Sequence, residues 1–398
     1  MKIKTLIKRL VSNEVLEIGK SVAYYPRNKK IEKKFNIYND KVIISERKNY
    51  LKDSILNYTK TLHVEGAKYY FSEDAMKPTL YASVFACLIR GFYKDISKEE
   101  KKEWIEYFNS CQRKKDGLFM DDVVTDDFYL NFRQGYGARH LIGHITIAYD
   151  RLEAVPQYEF AFLDEYKKPD DVIKWLSSLD YHRIWGSSNE ILNIGTAMQF
   201  ARDRMGLPFD ASIAAMEDYL IKNIRKEYGL WYDGEIKNNS DLYEAIRGVY
   251  HIIPILKYDN IDIPSASNCL DLLYKSQNKW GGFDSMIGSS ACADIDAIDP
   301  LLRLALQENI NPDEIKDMLD KAERWIYFNQ NDDGGFVFGR KNAFNWEDNE
   351  NLYSAKQHSN IFATWFRSLS LQLIDNYKNN NNEHRIWTPG MECPLYRE

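Results

Sequence analysis

Asp294 and Asp296 stand two positions apart in the stretch Ala291-Cys292-Ala293-Asp294-Ile295-Asp296, where their neighbours are small or apolar. A carboxyl group kept among apolar side chains retains its proton and can donate it as a general acid. Other polar residues fall near the starts of similar apolar stretches: Arg139 with His140, Asn189 with Glu190, Tyr243 and Glu244 with Arg247, and His358 with Asn360. Glu190 or Glu244 paired with Asp296 would make an acid–base pair able to cleave a glycosidic bond, with the carboxyl separation deciding the outcome. Arg139, Arg247 and the histidines suit the anionic groups of a substrate. The candidate catalytic residues are therefore Asp296, Asp294, His358, Glu190 and Glu244. The candidate substrate-binding residues are Arg139, His140, Asn189, Tyr243, Arg247 and Asn360.

Each position also has a structural explanation. Asp294 suits a helix N-cap. Asp299 before Pro300 suits a helix start, in which case residues 292–298 form a loop. In a regular helix Asp294 and Asp296 point about 200° apart, so both can face one cavity only from an irregular start. Arg139 and His140, as neighbours, cannot share a helical face. Glu190 and Glu244 can pair with Arg139 or Arg247 as a buried ion network. His144, one turn after His140, fits core packing.

The elements that must position these residues follow from periodicity. From about residue 45 two kinds of helix alternate. Charged amphipathic stretches fall near 46–62, 97–112, 169–179, 210–227, 264–277 and 312–330. Stretches richer in small and apolar residues fall near 78–93, 137–152, 188–205, 241–257, 292–308 and 357–375. Equivalent points of the second set recur at roughly 50 to 64 residues, the mark of one supersecondary unit stacked on itself. Six such pairs predict an all-α (α/α)6 toroid with charged helices outside and apolar helices inside. Residues 1–44 would be a basic extension, 45–376 the toroid and 377–398 a tail.

The turns carry the most regular signal. Gln277-Asn278-Lys279-Trp280-Gly281-Gly282-Phe283 and Gln330-Asn331-Asp332-Asp333-Gly334-Gly335-Phe336 share the pattern Q-x3-G-G-F. Gly117-Leu118-Phe119 and Gly229-Leu230-Trp231 follow it loosely. Glycine there can end a helix in the left-handed conformation, and Gln112, Gln277 and Gln330 can cap backbone groups of the turn. This motif resembles the repeat of the terpenoid cyclase and protein prenyltransferase superfamily, called the QW motif in squalene cyclases. The resemblance implies the toroid and a central cavity. It also implies two chemistries. In proton-initiated terpene cyclases a D-x-D-D motif follows such a repeat, and here Asp294-Ile295-Asp296-Ala297 matches its first and third positions, which casts Asp296 as the proton donor. In prenyltransferases an Asp, a Cys and a His hold zinc; the corresponding set here is Asp294, Asp296 and His358, which implies a divalent metal, zinc or magnesium. A single (α/α)6 ring is also the scaffold of glycosidases, polysaccharide lyases and sugar epimerases, and of a third class, a binding module whose acids only cap helices.

The bulk numbers exclude other classes. A net charge of −6 gives no reason to expect nucleic acid as a partner. The expected partner is a small molecule or an oligosaccharide. Five scattered cysteines without a C-x-x-C pair point to core residues in a reducing cytoplasm. Ile3, Leu6, Ile7, Leu10 and Val11 recur at helical spacing among lysines, so residues 1–20 could contact a membrane surface or pack on the flank of the ring.

Overall fold

The structure is a computed structural model, and it describes residues 28–36, 41–131, 136–284 and 287–379. The basic segment at residues 1–20, Cys393 and the tail beyond residue 379 lie outside the described residues. Twelve helices alternate between an outer and an inner layer. The outer ones are α1 (Leu51–Thr61), α3 (Lys98–Ser110), α5 (Pro169–Ser177), α7 (Asp210–Lys222), α9 (Ala266–Ser276) and α11 (Lys316–Phe328). The inner ones are α2 (Leu80–Phe92), α4 (Tyr136–Arg151), α6 (Ile184–Met205), α8 (Asn239–Val249), α10 (Ala291–Gln307) and α12 (Ile361–Asn379). Each inner helix touches the next, and α12 returns to α2, so the ring closes. The strands among the described residues are short pairs, including Phe344–Asn345 with Tyr353–Ser354.

Composition explains the layering. α2 reads LYASVFACLIRGF and buries every residue but Gly91, as a helix apolar on every side must. α3 reads KEEKKEWIEYFNS and buries only Trp104 and Phe108. Its start is fixed by a capping box, in which the Glu100 N–H donates to Ser97 Oγ at 3.2 Å and the Ser97 N–H donates to Glu100 Oε2 at 2.8 Å.

The repeated turns join neighbouring units. Gln277 Nε2 donates to the Gly281 carbonyl at 3.1 Å and to the Met318 carbonyl of α11 at 2.9 Å. Gln330 Nε2 donates to the Gly334 carbonyl at 3.1 Å. Gly281 and Gly334 adopt φ of 100° and 91°, the left-handed region. A β-carbon on Gly281 would strike the Lys321 carbonyl, and one on Gly334 the Ser54 carbonyl of α1. The last clasp thus shuts the ring on its first helix, and Arg47 adds a bond to the Gln330 carbonyl at 2.8 Å.

One boundary differs from the sequence expectation. α10 begins at Ala291, capped by Ser290 Oγ, which accepts from the Ala293 N–H at 3.1 Å, and Pro300 lies inside the helix. Residues 292–298 are therefore helical. The Pro–helix penalty is met locally: Pro300 lacks the N–H that would bond the carbonyl four residues back, which is that of Asp296.

Candidate active site

The inner helices enclose a cavity of about 400 Å³. Its wall is drawn from α4, α6, α8, α10 and α12. Phe338, Phe344, Asn345, Trp346 and Glu347, from the segment between α11 and α12, roof it. Trp346 is wedged between His140, at 5.1 Å between ring centroids, and Phe362, at 5.2 Å. Tyr136, Trp185, Tyr250, Trp365 and Phe366 extend the aromatic lining.

Asp296 is the acid in this wall. Its side chain is buried, and Oδ2 has no hydrogen-bond partner among the described residues. Burial raises its pKa well above the usual carboxylate range; Arg247 pulls it back and Asp294 pushes it further. Burial thus favours the protonated form of this carboxyl over the carboxylate. His251 Nε2 lies 3.9 Å from Asp296 Oδ1. His251 Nδ1 is 2.9 Å from the Arg247 carbonyl, which places the ring proton there and leaves Nε2 as an acceptor. Burial depresses His251 to about 3 and His144 to about 4, and lowers His140 as well, so all three imidazoles are neutral bases.

Asp294 has the opposite environment. Oδ2 accepts from Arg367 Nη1 at 2.6 Å and from Trp325 Nε1 at 3.0 Å, and Oδ1 accepts from Ser289 Oγ at 2.7 Å. The Phe283 N–H, in the repeated turn, adds a fourth donor at 3.4 Å. Burial lifts the Asp294 pKa, while Arg367, Ser289 and Trp325 pull it back. Arg367 also holds the carbonyls of Ser289 and Val337. The pair bolts α10 to α12 and to the turn below the roof. The two aspartates point apart, as a regular helix requires.

The remaining candidates divide. His140, Asn189 and Arg247 line the cavity with Asp296. Arg139 is not in that lining and pairs with Glu190 at 2.7 Å, a half-buried ion pair rather than the buried network expected. Glu190 also accepts from Trp175 Nε1 at 3.1 Å. Glu244 accepts from the Trp185 N–H at 3.4 Å and does not line the cavity, nor does the buried Tyr243. Asn360 caps α12: its Oδ1 accepts from the Ala363 N–H at 2.8 Å, and its Nδ2 donates to Ser354 Oγ. His358 is drawn off by other acids, Glu73 at 2.9 Å and Asp74 at 3.0 Å, and is absent from the cavity lining. The expected metal set of Asp294, Asp296 and His358 is therefore not assembled. Each member faces a different way.

Sequence reasoning missed His251, Trp346 and the cavity role of His144. The His144 ring lies 4.5 Å from that of His140, tilted by 32°, and lines the cavity, so it is more than core filling. The signal for His251 was its place one turn after Arg247. Nothing local marked Trp346, which reaches the cavity only through the path of a long connection.

No family model matches the chain, and no curated protein matches it. Among solved structures, a variant of a type II terpene cyclase from Scytonema, in complex with geranylgeranyl dihydroxybenzoate, is similar at 12% identity over 83% of this chain and 98% of that one, with a TM-score of 0.48. A polysaccharide lyase is similar at 11% identity over 84% of this chain and 99% of that one, with a TM-score of 0.49. A protein from Actinoplanes is similar at 11% identity over 82% and 99%, with a TM-score of 0.47.

Proposed function

We propose that the cavity is the active site of an enzyme that cyclises or isomerises a linear isoprenoid by protonating it, with Asp296 as the general acid. The supporting observation is the Asp296 carboxyl itself: buried, unpartnered at Oδ2 among the described residues and set in a roofed wall rich in aromatic rings. Its O–H bond breaks as the electron pair of an alkene forms the new C–H bond. That leaves a carboxylate and a carbocation. A second alkene of the same substrate attacks the cation and closes a ring. Loss of a neighbouring C–H proton to a base restores a double bond. The Nε2 atoms of His251 and His144 are bases of the right kind, because both rings are neutral. The rings of Trp346, Phe362 and Phe366 offer negative faces to the passing charge, each worth about 0.5–2 kcal/mol in a dry site. Asp296 is regenerated when a proton returns to its carboxylate.

A carbohydrate-active reading needs a second carboxyl with Asp296; Glu190 and Glu244, put forward for it, lie outside the cavity lining, and the second acid of the lining is Glu347 in the roof. The deciding experiment offers linear prenyl diphosphates and polyprenes to the wild type and to Asp296→Asn, with products identified by mass spectrometry. Cyclised product from the wild type alone is expected. Wild-type inactivity on every isoprenoid, together with turnover of an oligosaccharide, would overturn the reading.

A further inference from the structure

We propose that Glu73, Asp74 and His358 bind one divalent transition-metal ion, of the zinc or manganese kind, at the foot of the cavity roof. One ligand atom from each lies within 4.8 Å of the others. His358 Nδ1 is 2.9 Å from Glu73 Oε1, and 3.0 Å from Asp74 Oδ2. Donor atoms around an ion bonded at about 2.0–2.2 Å are themselves roughly 3 Å apart, so these three need little rearrangement to close on a metal. One imidazole nitrogen with two carboxylates is a donor set for borderline ions, whereas calcium asks for oxygen alone.

A second observation points to the same place. Tyr58 is buried, and its hydroxyl has no hydrogen-bond partner among the described residues. Besides burial, the charges that act on it are those of Asp333, Glu73 and Asp74. Two members of the set, Glu73 and Asp74, thus act on this buried hydroxyl. A buried hydroxyl left without a partner is unfavourable. A divalent ion would balance the carboxylates, and a water bound to it would give the phenol a partner.

The location gives the ion a task. Asp74 Oδ2 also accepts from the Ala355 N–H at 2.7 Å, and Ser72 Oγ donates to the Tyr353 carbonyl at 2.6 Å. The loop before α2 already grips the strand that ends the roof segment. An ion held by Glu73, Asp74 and His358 would lock that grip. The site stands whether or not Asp296 is the acid.

The test uses the full chain, stripped with a chelator and titrated with zinc chloride and, separately, manganese chloride. Calorimetry and thermal melting are the readouts. One saturable equivalent and a raised melting temperature are expected. His358→Ala and Glu73→Gln remove side chains that are 43% and 71% exposed, so both variants should fold. Each should weaken binding at least tenfold and erase the melting shift. Substitution with cobalt should give visible absorption bands in the wild type that vanish in His358→Ala. Absence of saturable binding would overturn the site and leave a His–carboxylate ion pair only. So would equal binding by the variants, which would put the ion elsewhere.

Discussion

Asp294 and Asp296 lie on one helix, two residues apart, and they belong to two different regions of the molecule. Asp294 joins the region of clasps, where four donors converge on a carboxylate and hold α10, α12 and a repeated turn together. Asp296 belongs to the cavity, where one oxygen has no partner among the described residues and the lining mixes aromatic rings with polar groups such as Arg247 and His251. Both are buried, so burial alone does not mark function. What separates them is the use of their hydrogen-bonding capacity. A carboxyl whose lone pairs are all engaged is a rivet; one left free in an apolar wall is available to a substrate.

Experiments can break this contrast in descending order of effect. Asp296→Asn should lower turnover by about 10²–10⁴-fold, the usual span for removing a general acid. Its stability should move the other way. Because the folded pKa of Asp296 is raised, the wild type loses stability as pH rises from the unfolded carboxylate range towards the folded value. Asparagine carries no such penalty, so urea unfolding at neutral pH should show a variant at least as stable as the wild type. A clear loss of stability would remove the distinction between the two acids.

Asp294→Asn should do the reverse and cost about 3–5 kcal/mol in the same unfolding measurement, since it leaves Arg367 buried beside a neutral partner. Gly281→Ala comes next. A left-handed alanine costs about 1–3 kcal/mol before the collision with the Lys321 carbonyl is counted, so its melting temperature should fall clearly. Trp346→Ala should lower the melting temperature, since the ring packs against His140 and Phe362, lower kcat/KM by about tenfold and broaden the product mixture seen by mass spectrometry. Finally, a pH–rate profile should decline as pH rises through the elevated Asp296 pKa. A profile rising with pH there would require an ionised Asp296 and a different mechanism.

The ring was legible in the sequence because its signals are local. Helix periodicity, the spacing of units and the glycine turns each depend on a few adjacent residues, and Gln277 and Gln330 cap their turns as their positions suggested. The boundary of α10 was harder, since Asp299-Pro300 mimics a helix start while Ser290 provides the actual cap. The site was legible in part. Asp296, His140, Asn189 and Arg247 meet because they lie near equivalent points of stacked units. His358 escaped because its partners, Glu73 and Asp74, come from almost three hundred positions away and arrive only when the ring closes. Trp346 escaped for a related reason: no helical period governs the roof.

Ring closure has a consequence for when the acid comes into being. α12 carries Arg367, Phe362 and Phe366, and the clasp at Gly334 seats the ring against α1. Until that last inner helix docks, one wall of the chamber is missing and Asp296 is open to water, where it titrates as an ordinary carboxylate. Burial that raises the pKa of Asp296 needs this last stave of the barrel in place, so its hold on a proton is a property conferred by closure of the ring.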